Sequence, residues 1–300
     1  MKGSVIAIIY ALCANIGIAV AKFIAAFITG SGSMLAEGIH SLVDSCNQVL
    51  LLIGMKVAKK PANEEHPLGY GKAVYFWSFI VAIMLFSMGG VFSIYEGINK
   101  LRVGHTVENL WVAFIVLVLS IILEIFSLIG AFRIVKQYKK GLSLFSWFRG
   151  SKQSELMVVI GEDIAAVLGL GIVFISIILT LTTGNNFYDA LGSICIGVLL
   201  VIIAVSIGKE VGGLLIGESA EADMQKRIFL FFSSEKSLVD EVLHLITFQL
   251  GSEIMVAVKI KPVKNISVGE LIELINESEK KLKAKYPEIK WIFVEPDYTD

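Results

Sequence analysis

Six long apolar runs constrain this chain more than any other feature of its sequence. They cover residues 5–29, 34–57, 73–98, 110–134, 156–181 and 188–207. A helix needs about 20 mostly apolar residues to cross roughly 30 Å of hydrocarbon. Each run meets that length. Lipid offers no hydrogen-bond partner to a free backbone group, so such runs must be helices. The breaks between them carry turn chemistry, as in Gly30-Ser31-Gly32-Ser33, Lys60-Pro61-Ala62-Asn63 and Thr182-Thr183-Gly184-Asn185-Asn186. The composition agrees, with 55% hydrophobic and only 18% charged residues, against about a quarter charged in soluble domains. The first run is too long for the core of a secretory signal and is read as the first span.

The net charge of -1 says little, because the charges are unevenly placed. Residues 1–217 are expected to form a transmembrane domain of six helices. Residues 218–300 are rich in Lys and Glu and read as a soluble domain. An even number of spans puts both termini on one side. Lys2, Lys56, Lys59, Lys60, Lys72, Arg133, Lys136, Lys139, Lys140, Arg149, Lys152 and Lys209 fall on that side, and only Lys100 and Arg102 on the other. The positive-inside bias therefore places the termini and the C-terminal domain in the cytoplasm. The segment 141–150 mixes Trp, Phe and Leu with Arg and reads as interfacial. In the soluble part, periodicity predicts a helix over 221–234, strands over 239–249 and 253–262 around Gly251-Ser252, a helix over 267–286 and a short strand over 291–294. The order αββαβ suits a small ferredoxin-like α+β domain. Cys13, Cys46 and Cys195 lie in apolar runs with no CxxC pairing, so they are expected to be buried packing residues.

Ionisable residues at membrane depth are costly and are functional candidates by default. The second run holds Glu37, His40 and Asp44. His40 and Asp44 are four apart, share one helix face and can meet one ion. Imidazole with carboxylate suits zinc. The fifth run holds the adjacent acids Glu162 and Asp163. Two carboxylates and one histidine leave surplus negative charge in a low-dielectric site, which a bound cation or protons must neutralise. The bland reading is a structural polar cluster between closely packed helices, with Gly38, Ser41, Ala165 and Ala166 as the small contact residues. Glu37 reads as a solvated vestibule residue. The intramembrane charges gather on two spans, which argues against a pore lined by repeated polar residues.

The run HSLVDS on the second span, HPLGYGK opening the third and FYDALGS opening the sixth together resemble the cation diffusion facilitator family. The resemblance covers nearly the whole chain. It implies a homodimeric antiporter that exchanges a divalent metal for protons and carries a C-terminal α+β domain. It implies a tetrahedral transport site between the second and fifth spans, with His40, Asp44 and Asp163 as ligands. A histidine at this position resembles zinc carriers more than manganese carriers. The pattern breaks at Val159, four residues before Asp163, where the family has a second metal-binding side chain. Glu162 lies about 100° round the helix from Asp163 and could replace that ligand only if the helix rotates or distorts. The GED form resembles the branch that includes a mitochondrial zinc transporter.

Accessory sites look weakened against the same pattern. His66, with Glu64 and Glu65 beside it, could form a weak entry site, although a solvated loop shaped by Pro67 and the two glycines is the plainer reading. Lys259, Glu295 and Asp297 stand where zinc-binding histidines are often found, so the C-terminal domain is expected to dimerise without a zinc cluster. Lys72 is expected to pair with Glu218 or Glu210 and tie the membrane part to the domain. Asp189 reads equally as a helix-start residue, with Asn185 or Asn186 as alternative caps, or as part of an ion path. The function expected is export of Zn²⁺ from the cytoplasm in exchange for protons, with no cofactor. Transport of Mn²⁺, Fe²⁺ or Co²⁺ on the same scaffold, an organic solute carrier, and a non-transporting scaffold or metal sensor are the alternatives. No nucleophile–base pair or phosphate loop marks an enzyme, and no basic aromatic face marks a nucleic-acid binder.

Overall fold

The computed structural model describes residues 2–29, 32–103, 110–139, 141–185 and 187–299, without the side chains at 2, 32, 33, 36, 37, 40, 103, 110 and 113. The elements run α1 (Lys2–Thr29), α2 (Gly32–Val57), α3 (Ala73–Met84), a π-helical turn (Leu85–Val91), α4 (Phe92–Val103), α5 (Leu110–Tyr138), α6 (Leu144–Gly150), α7 (Ser154–Thr183), α8 (Phe187–Ile216), α9 (Ala222–Ser234), β1 (Val239–Leu250), β2 (Glu253–Pro262), α10 (Val268–Lys285) and β3 (Ile289–Pro296).

Two compact units share this chain. One comprises residues 1–56, 74–149 and 154–212, the other 57–73, 150–153 and 213–300. The first is a helical bundle. Among the described residues, five helices are long and apolar enough to cross a membrane: Gly3–Thr29, Ala73–Arg102, Phe114–Tyr138, Ser154–Thr183 and Phe187–Ile216. The third run is thus one continuous stretch through α3, the π-turn and α4. The remaining helix, α2, has 26 residues and so the length to span, at about 1.5 Å per residue. It falls short in apolarity because one face carries Ser41, Asp44, Ser45, Asn47 and Gln48. Large apolar residues cover the outside of the bundle, with Phe27 92%, Trp111 81% and Ile175 58% exposed. That surface suits hydrocarbon and would be untenable in water. The three free cysteines lie on this outer surface, contrary to their expected burial. A thiol is a small hydrophobe and is as stable against lipid as against a core.

Close packing inside the bundle uses glycine. α1 packs mainly on α5, and α5 on α7. The Tyr10 ring lies against Gly130, where a Cβ would come within 2.6 Å of it. The segment Leu85–Val103 lies against α8 with backbone almost touching backbone. A Cβ on Gly97 would stand 2.8 Å from the Ala190 carbonyl oxygen, and one on Gly197 2.7 Å from that of Gly90. Small residues permit this approach in helices that lack a hydrophobic driving force between them.

The second unit is the α+β fold expected from the sequence, in the order αββαβ. β1 pairs antiparallel with β2, which pairs parallel with β3. The sheet order is β1-β2-β3. Alternate residues of β2, namely Ile254, Val256, Val258 and Ile260, turn inward against Ile228, Phe232 and Leu282 of the two helices. Ser267 and Glu270 close a capping box at the start of α10. The expected turn at Gly251 is present, with φ +66. The loop 57–73 belongs to this unit. Gly71 abuts the β1–β2 turn so closely that a Cβ would lie 2.1 Å from the Leu250 carbonyl oxygen.

A charged cavity inside the helical bundle

The polar face of α2 does not turn to lipid. It faces a cavity of about 330 Å³ lined by α1, α2, the α3–α4 stretch, α5, α7 and α8. Asp44 lines this cavity from α2, and Glu162 and Asp163 line it from α7. The structure therefore brings three of the expected site residues into one space. The side chain of His40 lies outside the described residues, as does that of Glu37.

The two adjacent acids on α7 have different surroundings. Asp163 is 4% exposed, and its Oδ2 accepts a hydrogen bond of 3.0 Å from the Ser127 hydroxyl of α5. The carboxylate of Glu162 is held at both oxygens. Oε1 accepts from the Asn47 side-chain amide at 2.9 Å and Oε2 from the Gln48 amide at 2.8 Å. Gln48 in turn accepts from the Asn15 amide of α1 at 3.2 Å. A chain of amides thus ties α1, α2 and α7 together at membrane depth. Val159 is fully buried and presents no donor. Among the described residues, no three His, Cys, Asp or Glu side chains stand close enough as placed to hold a metal ion.

The charge is not confined to two spans, contrary to the expectation from the sequence. Glu124 of α5 and Lys22 of α1 also line the cavity. Glu124 interacts electrostatically with Asp163, Asp44 and Lys22, and Glu162 with Asp44, Asp163 and Glu124. The Lys22 ammonium donates to the Ser41 hydroxyl at 3.0 Å. Asp44, Glu124, Glu162, Asp163 and Lys22 therefore line one part of the same cavity. The signal for these two further residues is present in the sequence. Each is the one ionisable residue in the middle of an otherwise apolar run, and that alone marks a candidate.

At the start of α8, Asp189 takes an ion-pair role. Lys100 of α4 stands 3.2 Å from Asp189 and 3.6 Å from Glu96, and its ammonium donates to Ser193 at 3.1 Å. All four residues line the same cavity. The helix-start function falls to Asn185, whose Oδ1 accepts from the Phe187 backbone N–H at 2.9 Å. Asn186 lies outside the described residues.

The accessory residues occupy the other unit. Glu64, Glu65 and His66 are exposed. The His66 ring stacks on Tyr70 with centroids 4.1 Å apart, and the Asn63 side chain bonds both the His66 backbone N–H and the Tyr70 hydroxyl. The loop is therefore shaped by its own contacts, with Gly69 at φ +79. The expected Lys72–Glu218 tie is replaced by two other contacts. Glu218 is engaged by Lys152, while the Lys72 ammonium lies 5.0 Å from the centre of the Phe248 ring. The docking of Gly71 on the Leu250 carbonyl fixes where Lys72 emerges, and that is beside β1. In the sheet, Lys259 pairs with Asp297 at 3.3 Å.

Residues 8–216 match the model of the cation efflux transmembrane domain. The chain belongs to the cation diffusion facilitator family. This family comprises transporters and not enzymes, and the chain is a zinc transporter-like, multi-pass membrane member of it. It is 34% identical over 240 residues to the "Proton-coupled zinc antiporter SLC30A9, mitochondrial" of Xenopus laevis, covering 79% of this chain and 43% of that protein. It is 30% identical over 238 residues to "Metal tolerance protein C4" of Arabidopsis thaliana, covering 79% of this chain and 52% of the relative. The chain thus spans about half the length of these relatives or less. A shorter match, 34% over 79 residues, joins it to "Magnetosome protein MamM" of Paramagnetospirillum magneticum.

Proposed function

We propose that this protein exports Zn²⁺ from the cytoplasm in exchange for protons, and that His40, Asp44 and Asp163 bind the ion during transport. One observation carries the reading. Asp44 and Asp163, from two helices far apart in sequence, line one cavity at membrane depth in which acids outnumber bases among the described residues. Such surplus charge is tolerable in low dielectric only with a cation or with protons bound.

Exchange follows from the ligand chemistry. Metal binding requires ionised carboxylates and neutral imidazole, so an arriving Zn²⁺ displaces protons and arriving protons displace Zn²⁺. Glu64 and Glu65 would attract the ion at the entry side. Glu162, held by two amides, would reach the ion only by giving one of them up, which makes it a reserve ligand in place of the side chain that Val159 lacks. The name of the frog relative states a proton-coupled zinc antiporter, which supports both the ion and the coupling. The membrane would be the inner or plasma membrane of the cell. The location named for that relative is mitochondrial, another membrane that holds a proton gradient. The unit is proposed to be a homodimer, with the α+β domain as the contact.

The test is Zn²⁺ uptake into proteoliposomes under an imposed pH gradient, with proton flux read at the same time. Asp44→Ala and Asp163→Ala should each abolish metal-driven proton flux. If either retained it, the site assignment would be wrong. A non-transporting scaffold would show no flux in the wild type.

A further inference from the structure

The cavity contains an acid that the transport site does not use. Glu124 stands near the midpoint of α5 (Leu110–Tyr138). It is 6% exposed, and none of the hydrogen bonds or ion pairs among the described residues involves it. One turn before it, at 2% exposure, the Ser120 hydroxyl is buried without a hydrogen-bond partner. Residues four apart share a helix face, and both of these line the cavity that holds Asp44 and Asp163. A buried hydroxyl is costly without a hydrogen-bond partner, and a buried carboxyl is costly without an ion-pair contact. Two such groups on one face, aimed into one cavity beside two further acids, form a place prepared for a cation.

We infer that Glu124 and Ser120 form an oxygen-donor subsite for the divalent cation, supplied by α5. The inference rests on the proposed reading of the cavity as the metal's passage, and it adds a third helix to the two that the family pattern uses. It also accounts for the loss at Val159, since α5 can supply the oxygen that α7 does not. Ser127, one turn beyond Glu124 on the other side, already joins α5 to Asp163. Movement of α5 and α7 toward each other would therefore bring Glu124 and Asp163 around the same ion. Lys22, which interacts with Glu124 from α1, would be the charge displaced.

The experiment is calorimetric titration of the full chain in detergent with Zn²⁺ alone, for wild type, Glu124→Gln, Glu124→Asp, Ser120→Ala and Asp163→Asn. Glu124→Gln should weaken Zn²⁺ binding by roughly tenfold or more, with its melting temperature unchanged. Ser120→Ala should weaken it by a smaller factor, and Glu124→Asp should recover part of the loss. Wild-type affinity in Glu124→Gln, alongside a loss in Asp163→Asn, would overturn this subsite and leave the transport site standing. No binding by the wild type would overturn both. Should Glu124→Gln fail to fold, Ser120→Ala and Glu124→Asp decide: unchanged affinity in both overturns the inference, and a graded loss supports it.

Discussion

At the scale of single residues, the site separates ligand chemistry from structural anchoring. Asp163 is reached by one hydroxyl, whereas Glu162 is fixed by two amides from α2. An acid engaged at both oxygens is an anchor first. Gln48→Leu should therefore destabilise the bundle by about 1–3 kcal/mol, because it leaves one oxygen of Glu162 buried and unpaired. A thermal melt in detergent reads this, and Zn²⁺ affinity should change far less than it does in Asp163→Asn. In the proposed reading, His40 is the residue that would set the metal. Imidazole suits Zn²⁺, while an all-carboxylate set suits Mn²⁺. His40→Asp should thus lower Zn²⁺ transport and raise the relative rate for Mn²⁺ in a metal panel on reconstituted vesicles. An unchanged ranking would remove the histidine as the filter.

At the scale of elements, glycine positions that look alike in sequence differ in what surrounds them. Gly97 and Gly197 press against carbonyl oxygens of the facing helix, while a Cβ added to Gly171 would meet nothing within 4 Å. Gly97→Ala should cost about 1–3 kcal/mol through overpacking, and Gly171→Ala should be neutral or slightly stabilising because it favours helix. Equal melting temperatures for the two variants would contradict the close packing of the α3–α4 stretch on α8. In the other unit, the Ser267 hydroxyl, and with it the Ser267 backbone N–H, holds the Glu270 carboxyl below the usual carboxylate range. A depressed folded-state value means the capping box contributes above the ordinary carboxylate pKa and loses that contribution as pH falls through the lower folded value. Ser267→Ala should lower the melting temperature at neutral pH and remove part of the acid-side decline, as a pH series of melts would show.

At the scale of the whole molecule, what is legible in the sequence is what depends on local period. Spans follow from apolar length, and the order αββαβ follows from alternation and turn residues, so both are readable without contacts. Which charges meet depends on how each helix is rotated and on long-range packing. The convergence of Glu124 and Lys22 on the α2–α7 acids is therefore not legible, and neither is the partner of Lys72, since only the docking of Gly71 on Leu250 shows where that side chain emerges. Orientation in the membrane is an expectation from charge placement and can be tested directly. The basic residues Lys56, Lys59, Lys60, Lys136, Lys139, Arg149 and Lys152 lie at one end of the spans, and Lys100 and Arg102 at the other. The positive-inside rule predicts that the first end, with Glu64, Glu65 and His66, lies in the cytoplasm. In a background with Cys13, Cys46 and Cys195 replaced by Ser, a cysteine at Lys59 or Tyr298 should react with an impermeant maleimide only after cells are opened. A cysteine at Leu101 should react in intact cells. The reverse pattern would invert the proposed direction of export, because the acids of the 57–73 loop would then face the compartment that receives the metal.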